Sequence, residues 1–312
     1  MYAPARCTRP VMSPDPIGSI NVQDDLGECV LWDDRTQSLW WTDIEKRLLH
    51  RLDWASRAMR DIPTPERLCA FGFTENGTNL IAAFESGFAF FDPDTGAVDW
   101  LVRPALPGQR LNDGRVDREG RFWAGSMAEE PEQKGKAQLF CLDSDGSLTA
   151  RERGLTISNG IGWSPDGTRF YLADSTARTI WRYDFDPGDG AISARRIFAQ
   201  TQAGAMPDGA AIDAEGHLWS AQWGAGRVVR YSPHGIVDRV LDVPASQPTC
   251  VAFGGPERSL LFVTSARIGL SKSELGRQSG AGDVFVYNAG VTGLPEPRFR
   301  WNGPAFRGQG GR

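Results

Sequence analysis

Six positions in this sequence, spaced 41 to 49 residues apart, share one offset from a recurring turn phrase: Glu28, Cys69, Asn112, Asn159, Asp208 and Thr249. Three of them, Glu28, Asn159 and Asp208, are oxygen donors with a glycine on one side, and Asn112 sits in a similar Leu111-Asn112-Asp113-Gly114 run. Glycine lets the backbone turn sharply and present such a side chain. Two carboxylates and one or two amide carbonyls aimed at one point repel each other unless a cation sits between them. Without thiolate or imidazole, this donor set suits hard ions: Ca²⁺, Mg²⁺ or Mn²⁺, with Fe²⁺ and Zn²⁺ also compatible. So few protein ligands leave room for water or substrate, which is what a catalytic metal requires. Taken singly, each residue is an ordinary turn former, because Asn-Gly and Asp-Gly are common turn dipeptides. The shared offset is what argues for one site.

The elements that must position these residues come from the same repeat. A phrase with an apolar residue, Asp or Gly turn formers and then an aromatic-rich strand occurs six times. It begins at Leu31-Trp32-Asp33-Asp34, Phe73, Val116-Asp117-Arg118-Glu119-Gly120, Trp163-Ser164-Pro165-Asp166-Gly167, Ile212-Asp213-Ala214-Glu215-Gly216 and Phe253. A second strand phrase ending in a turn follows each one. Two hairpins per cycle make four strands, and six such cycles predict a six-bladed β-propeller, all-β, with four antiparallel strands per blade. One blade cannot bury both faces, so closing the ring gives each blade two neighbours. The innermost strand of each blade then borders the central channel, and equivalent positions at one rim converge on the axis. The expected organisation is an N-terminal coil over residues 1–20, a single propeller domain over 21–300 and a tail over 301–312.

Bulk composition narrows the partners. The net charge is −5 over 312 residues and the pI is near 5.4. A basic face for nucleic acid or anionic lipid is therefore not expected. No apolar run approaches the ~18 residues that span a bilayer. The first twenty residues carry no apolar signal-peptide core. The five cysteines are scattered, with no C-x-x-C pair, so neither a zinc ribbon nor a disulfide framework is signalled and a cytoplasmic location is expected. His50, His217 and His234 fall outside the rim positions, in surface or structural roles. No G-x-S-x-G nucleophile elbow or phosphate-binding glycine loop is present.

At the rim residues the chain resembles the gluconolactonase/regucalcin (senescence marker protein) family of sugar lactonases. The likeness spans about residues 24–298. It is carried by Leu26-Gly27-Glu28-Cys29 with Trp40-Trp41-Thr42-Asp43-Ile44, by the run from Arg110 to Met127, by Ile157-Ser158-Asn159-Gly160, by Pro207-Asp208-Gly209 and by Ala221-Gln222-Trp223-Gly224. The resemblance implies Glu28, Asn159 and Asp208 as ligands of one divalent metal ion, and Arg110, Asn112 and Glu130 as substrate contacts. It implies a sugar lactone as the small-molecule partner. One departure stands out. Where the family usually has Gly-Pro after the ligand glutamate, this chain has Cys29-Val30, which implies a backbone acceptable to a residue with a Cβ.

Lactone hydrolysis needs an activated water, a polarised carbonyl and stabilisation of a tetrahedral oxyanion. The cation supplies the last two, and Asp208 is the expected general base, kept ionised by the same cation. Arg110 and Asn112 suit sugar hydroxyls. Trp223 is expected to pack in its blade rather than stack on the ring, and Cys69 to be a buried filler. A calcium-dependent esterase or phosphotriesterase and a non-enzymatic calcium-binding propeller share the architecture and remain open from sequence.

Overall fold

A computed structural model describes residues 11, 12, 15–304 and 306. The chain builds six four-stranded antiparallel blades. Their first strands are Gly27–Asp33, Leu68–Phe73, Gln109–Val116, Ser158–Trp163, Met206–Ile212 and Pro248–Gly254. Each touches the first strands of both neighbouring blades, so these six line a closed ring around the axis. The apolar pattern follows from that position. Leu68–Phe73 is buried throughout, while the outermost strand Met59–Pro63 of the preceding blade has one buried residue.

The recurring turn phrase has a clear local cause. In blade three the Asp117 carboxylate accepts the main-chain N–H groups of Glu119 and Arg121 with Oδ1, and the indole N–H of Trp123 with Oδ2 at 2.9 Å. Asp213 does the same in blade five with Glu215, His217 and Trp219. The aspartate ties off a hairpin turn and orients the aromatic residue that packs between blades. Trp123 meets Trp163 and Phe170 of blade four, and Trp219 meets Phe253 of blade six.

The sixth blade departs from the expected boundaries. The chain after Pro248 supplies three strands, and the fourth is Gly18–Ile20, paired antiparallel to Val284–Asn288. Residues 18–20, expected as coil, thus close the ring; three residues flanked by turn formers give little periodicity to read. Val11–Met12 also pairs, parallel, with the outer strand of blade five. Of the expected coil, residues 1–10, 13 and 14 lie outside the described residues, as does most of the 301–312 tail. Residues 289–302 form a strap across the far mouth of the channel. Main-chain bonds join it to Phe73, Gly120 and Ser144, and its own Phe299 is fully buried. Among the described residues no helix is long and apolar enough to cross a membrane.

Candidate metal and substrate site

All six rim positions fall near the start of an inner strand, and each strand carries a register shift there. A bulge bends its strand and re-aims a side chain. Here six bulges turn toward one axis. Glu28, Arg110, Asn112, Asn159 and Asp208 line a single cavity of about 430 Å³, a volume within the range of small-molecule sites. Glu130 does not line it, and Glu129 does. Pro131 opens a short 3₁₀ turn and holds Glu130 extended. Neighbouring residues of an extended backbone point to opposite sides, so Glu130 packs toward Gly108 while Glu129 faces Arg110.

A chain of hydrogen bonds fixes the floor. Arg110 donates through Nη1 to Asn112 Oδ1 at 2.8 Å and to the Leu111 carbonyl at 2.9 Å. Asn112 Nδ2 donates to Asn159 Oδ1 at 3.1 Å and to the Ser158 carbonyl at 3.0 Å. Asn159 Nδ2 donates to Ser175 Oγ at 2.8 Å, and Ser175 donates to the Pro207 carbonyl beside Asp208. The amide orientations of both asparagines are therefore set by partners, with Asn159 Oδ1 accepting from Asn112. Cys69 is buried as expected and accepts from Arg110 Nη1 at 3.6 Å, so it supports the arginine from behind. Trp223, expected to pack in its blade, lines the cavity wall.

The electrostatics single out Glu28 and Asp208. Burial and then the nearby Asp113 carboxylate push Glu28 up to about 8, against the Cys29 N–H and the Arg110 charge. Burial, then Glu28 and Asp113, raise Asp208 well above the ordinary carboxylate range. Among the described residues no ion pair reaches either group; Arg110 pairs instead with Glu129, Nε to Oε1 at 3.8 Å. Buried carboxylates that crowd each other without a counter-charge are held as anions only by a cation. Two carboxylates and an amide oxygen fit a hard divalent ion with open positions.

A second acidic group, Asp213, Glu215 and His217, brings three potential ligand atoms within 4.8 Å of one another. Its charge is already met. Arg230 contacts Asp213 at 2.7 Å, Glu215 at 2.5 Å and Asp238 at 2.6 Å. We read this group as a structural ion-pair network rather than a metal site.

Sequence reasoning missed Glu45, Glu129, Ser175, Met206 and Ile157 in the cavity lining. Ser175 and Met206 lie in segments the repeat offset does not reach. The bonded partner of Asn112 across the blade boundary had no signal in either motif alone.

The fold and site define a six-bladed propeller with an oxygen-lined, axial small-molecule pocket. The chain belongs to the family described as the SMP-30/Gluconolactonase/LRE-like region, which matches residues 26–267. It is 39% identical to an L-arabinolactonase of Azospirillum brasilense over 89% of this chain and 93% of that relative. It is 36% identical to pentonolactonase XacC of Haloferax volcanii, over 88% and 94% of the two chains. The crystal structure of a calcium-binding protein, regucalcin, from Agrobacterium tumefaciens superposes with a TM-score of 0.87 at 31% identity, covering 93% of this chain and 99% of that one.

Proposed function

We propose that this protein is a carboxylic ester hydrolase that opens the ring of a neutral sugar lactone with one divalent metal held by Glu28, Asn159 and Asp208. The observation that carries the reading is the pair of enclosed carboxylates, Glu28 and Asp208, that make no ion pair among the described residues and stay raised despite the Arg110 charge, at the floor of a substrate-sized cavity. The relatives named as lactonases support the bond type. A divalent ion held by Glu28, Asn159 and Asp208 would supply Lewis-acid polarisation of a lactone carbonyl.

The chain's own groups do the rest. Asp208 takes a proton from the attacking water through a carboxylate oxygen and returns it to the ring oxygen as the ester bond breaks, giving the hydroxy acid. Arg110, locked by Asn112 and the Leu111 carbonyl, presents donors to the sugar hydroxyls. Asn112 orients Asn159 and contacts the ring substituents. Trp223 and Ile268 give the cavity an apolar wall suited to the carbon face of a sugar ring.

The test is hydrolysis of pentono- and hexonolactones by protein stripped with a chelator and reloaded with single metals, followed by acid release. Turnover restored by a divalent ion supports the proposal. Full activity in the stripped protein, verified metal-free by elemental analysis, overturns the metal role. An aryl ester or organophosphate cleaved faster than every lactone overturns the substrate class.

A further inference from the structure

We propose that Cys29 is a positioning residue whose thiol latches the Glu28 bulge to the neighbouring blade; the proposal rests on Glu28 being a metal ligand. Cys29 sits at φ +47°. That left-handed region costs a residue with a Cβ about 1 kcal/mol or more. The equivalent residue after Asn159 is Gly160, at φ +60°, where glycine enters without that penalty. The expected backbone, acceptable to a Cβ, is thus absent, and a compensating contact is needed at Cys29.

The thiol supplies it. Cys29 Sγ accepts the main-chain N–H of Phe71 at 3.3 Å and donates to the carbonyl of Phe71 at 3.6 Å. Phe71 is fully buried in the inner strand of blade two. An inner strand has a partner strand on one edge only, so polar groups on its channel edge need another partner. One neutral thiol serves both groups of Phe71.

The same contact recurs by the pseudo-sixfold symmetry. Asp113 follows Asn112 as Cys29 follows Glu28, and its Oδ2 accepts the N–H of Ile161 at 3.1 Å. Ile161 holds in blade four the place that Phe71 holds in blade two. Two different side chains thus make one inter-blade bond from one structural position, beside two residues of the pocket floor. Glu28 is also coupled directly, because its Oε2 accepts the N–H of Cys29 at 3.1 Å. Fixing the Cys29 peptide therefore fixes the carboxylate.

The experiment compares Cys29→Ala, Cys29→Ser and Cys29→Gly with the wild type. Each protein is stripped and titrated with Mn²⁺ by calorimetry, alongside thermal melting. Cys29→Ala is expected to weaken Mn²⁺ about tenfold, the lower end for outer-shell supports of a metal site. Cys29→Ser, which keeps one atom able to donate and accept, is expected to stay within about twofold of the wild type. Cys29→Gly removes strain and thiol together and is expected to weaken binding as the alanine does. Wild-type affinity in both the alanine and glycine variants, or tighter binding by the glycine variant, overturns the latch. If the alanine variant does not fold, the serine–glycine pair decides alone. A wild-type chain that binds no Mn²⁺, Ca²⁺ or Zn²⁺ overturns the metal reading itself and the latch with it.

Discussion

One strand, Met206–Ile212, separates two buried aspartates with different fates. Asp208 stands at the rim end, and Asp213 follows the other end in a turn. Both are at most 7% exposed, and both have acidic neighbours. Asp213 is saturated: Oδ1 takes two main-chain N–H groups, and Oδ2 takes the Trp219 indole and the Arg230 guanidinium. Asp208 has the Gly209 N–H and a distant Arg110 against the combined repulsion of Glu28 and Asp113. Proximity of acidic groups therefore does not identify a metal site. What does is the charge left over once the arginines are counted.

The strongest way to break this contrast is to neutralise Asp208. Asp208→Asn should lower kcat/KM for the best lactone by about 10³-fold, the scale of a lost general base, and weaken Mn²⁺ binding, while the melting temperature of the metal-free protein holds or rises because a repelled anion has gone. Near-full turnover with intact metal affinity would remove Asp208 from the base role. At the other end, Arg230→Met should lower stability by about 3 kcal/mol, since it strips the counter-charge from the fully buried Asp213. Activity per folded molecule should be unchanged. Denaturant unfolding together with active-site metal titration separates the two effects. If loss of Arg230 altered turnover as much as stability, the two ends of the strand would not be independent.

A third buried carboxylate sharpens the contrast, because its counter-charge can be switched off. Asp24 contacts His50 Nε2 at 3.1 Å and the Trp41 indole, and His50 Nδ1 reaches Asp61 at 2.8 Å. Burial opposes protonation of His50, but the bonds and charges of Asp24 and Asp61 outweigh it and raise the imidazole above its usual 6.5. Burial likewise raises Asp24. A histidine raised in the folded state contributes stability in full below its unfolded value, and that contribution is lost as pH rises through the folded value. The melting temperature should therefore fall as the pH is taken upward from about 6.5. His50→Gln should reduce that slope, leaving the part contributed by Glu28, raised to about 8. A wild-type melting temperature that is level or rising across this window would contradict the assignment.

The architecture was legible because its cause is local and repeated. In blades three and five a turn aspartate, Asp117 or Asp213, captures its own hairpin and its own tryptophan, and the turn-plus-aromatic phrase recurs with other residues in the remaining four blades. The convergence of Glu28, Asn159 and Asp208 on one cavity was legible for the same reason, as one offset applied to every blade. What was hidden depends on contacts between blades or on very short segments. Gly18–Ile20 closes the ring with three residues. The exchange of Glu129 for Glu130 turns on which side of an extended backbone faces Arg110, a parity set by Pro131. Cys29 read as a departure from a glycine pattern, and its bond to Phe71 spans 42 positions of sequence.

The smallest expected effect is also a direct challenge to the reading of the second acidic group. His217 Nδ1 is buried without a hydrogen-bond partner, 3.8 Å from Asp213 and 3.9 Å from Glu215. An orphaned ring nitrogen beside two carboxylates is what an absent ion would leave behind. The carboxylates argue otherwise, because the oxygens nearest to it are engaged: Asp213 Oδ1 by two main-chain N–H groups, Glu215 Oε2 by Arg230. A cation placed there would stand against the guanidinium that holds both acids. His217→Gln should therefore leave metal stoichiometry at one ion per chain, kcat/KM within about twofold and stability within about 0.5 kcal/mol, the range of substitutions outside a core or a bonded network. A wild-type stoichiometry of two ions that drops to one in His217→Gln would move a metal to the far end of the strand and erase the distinction between Asp208 and Asp213.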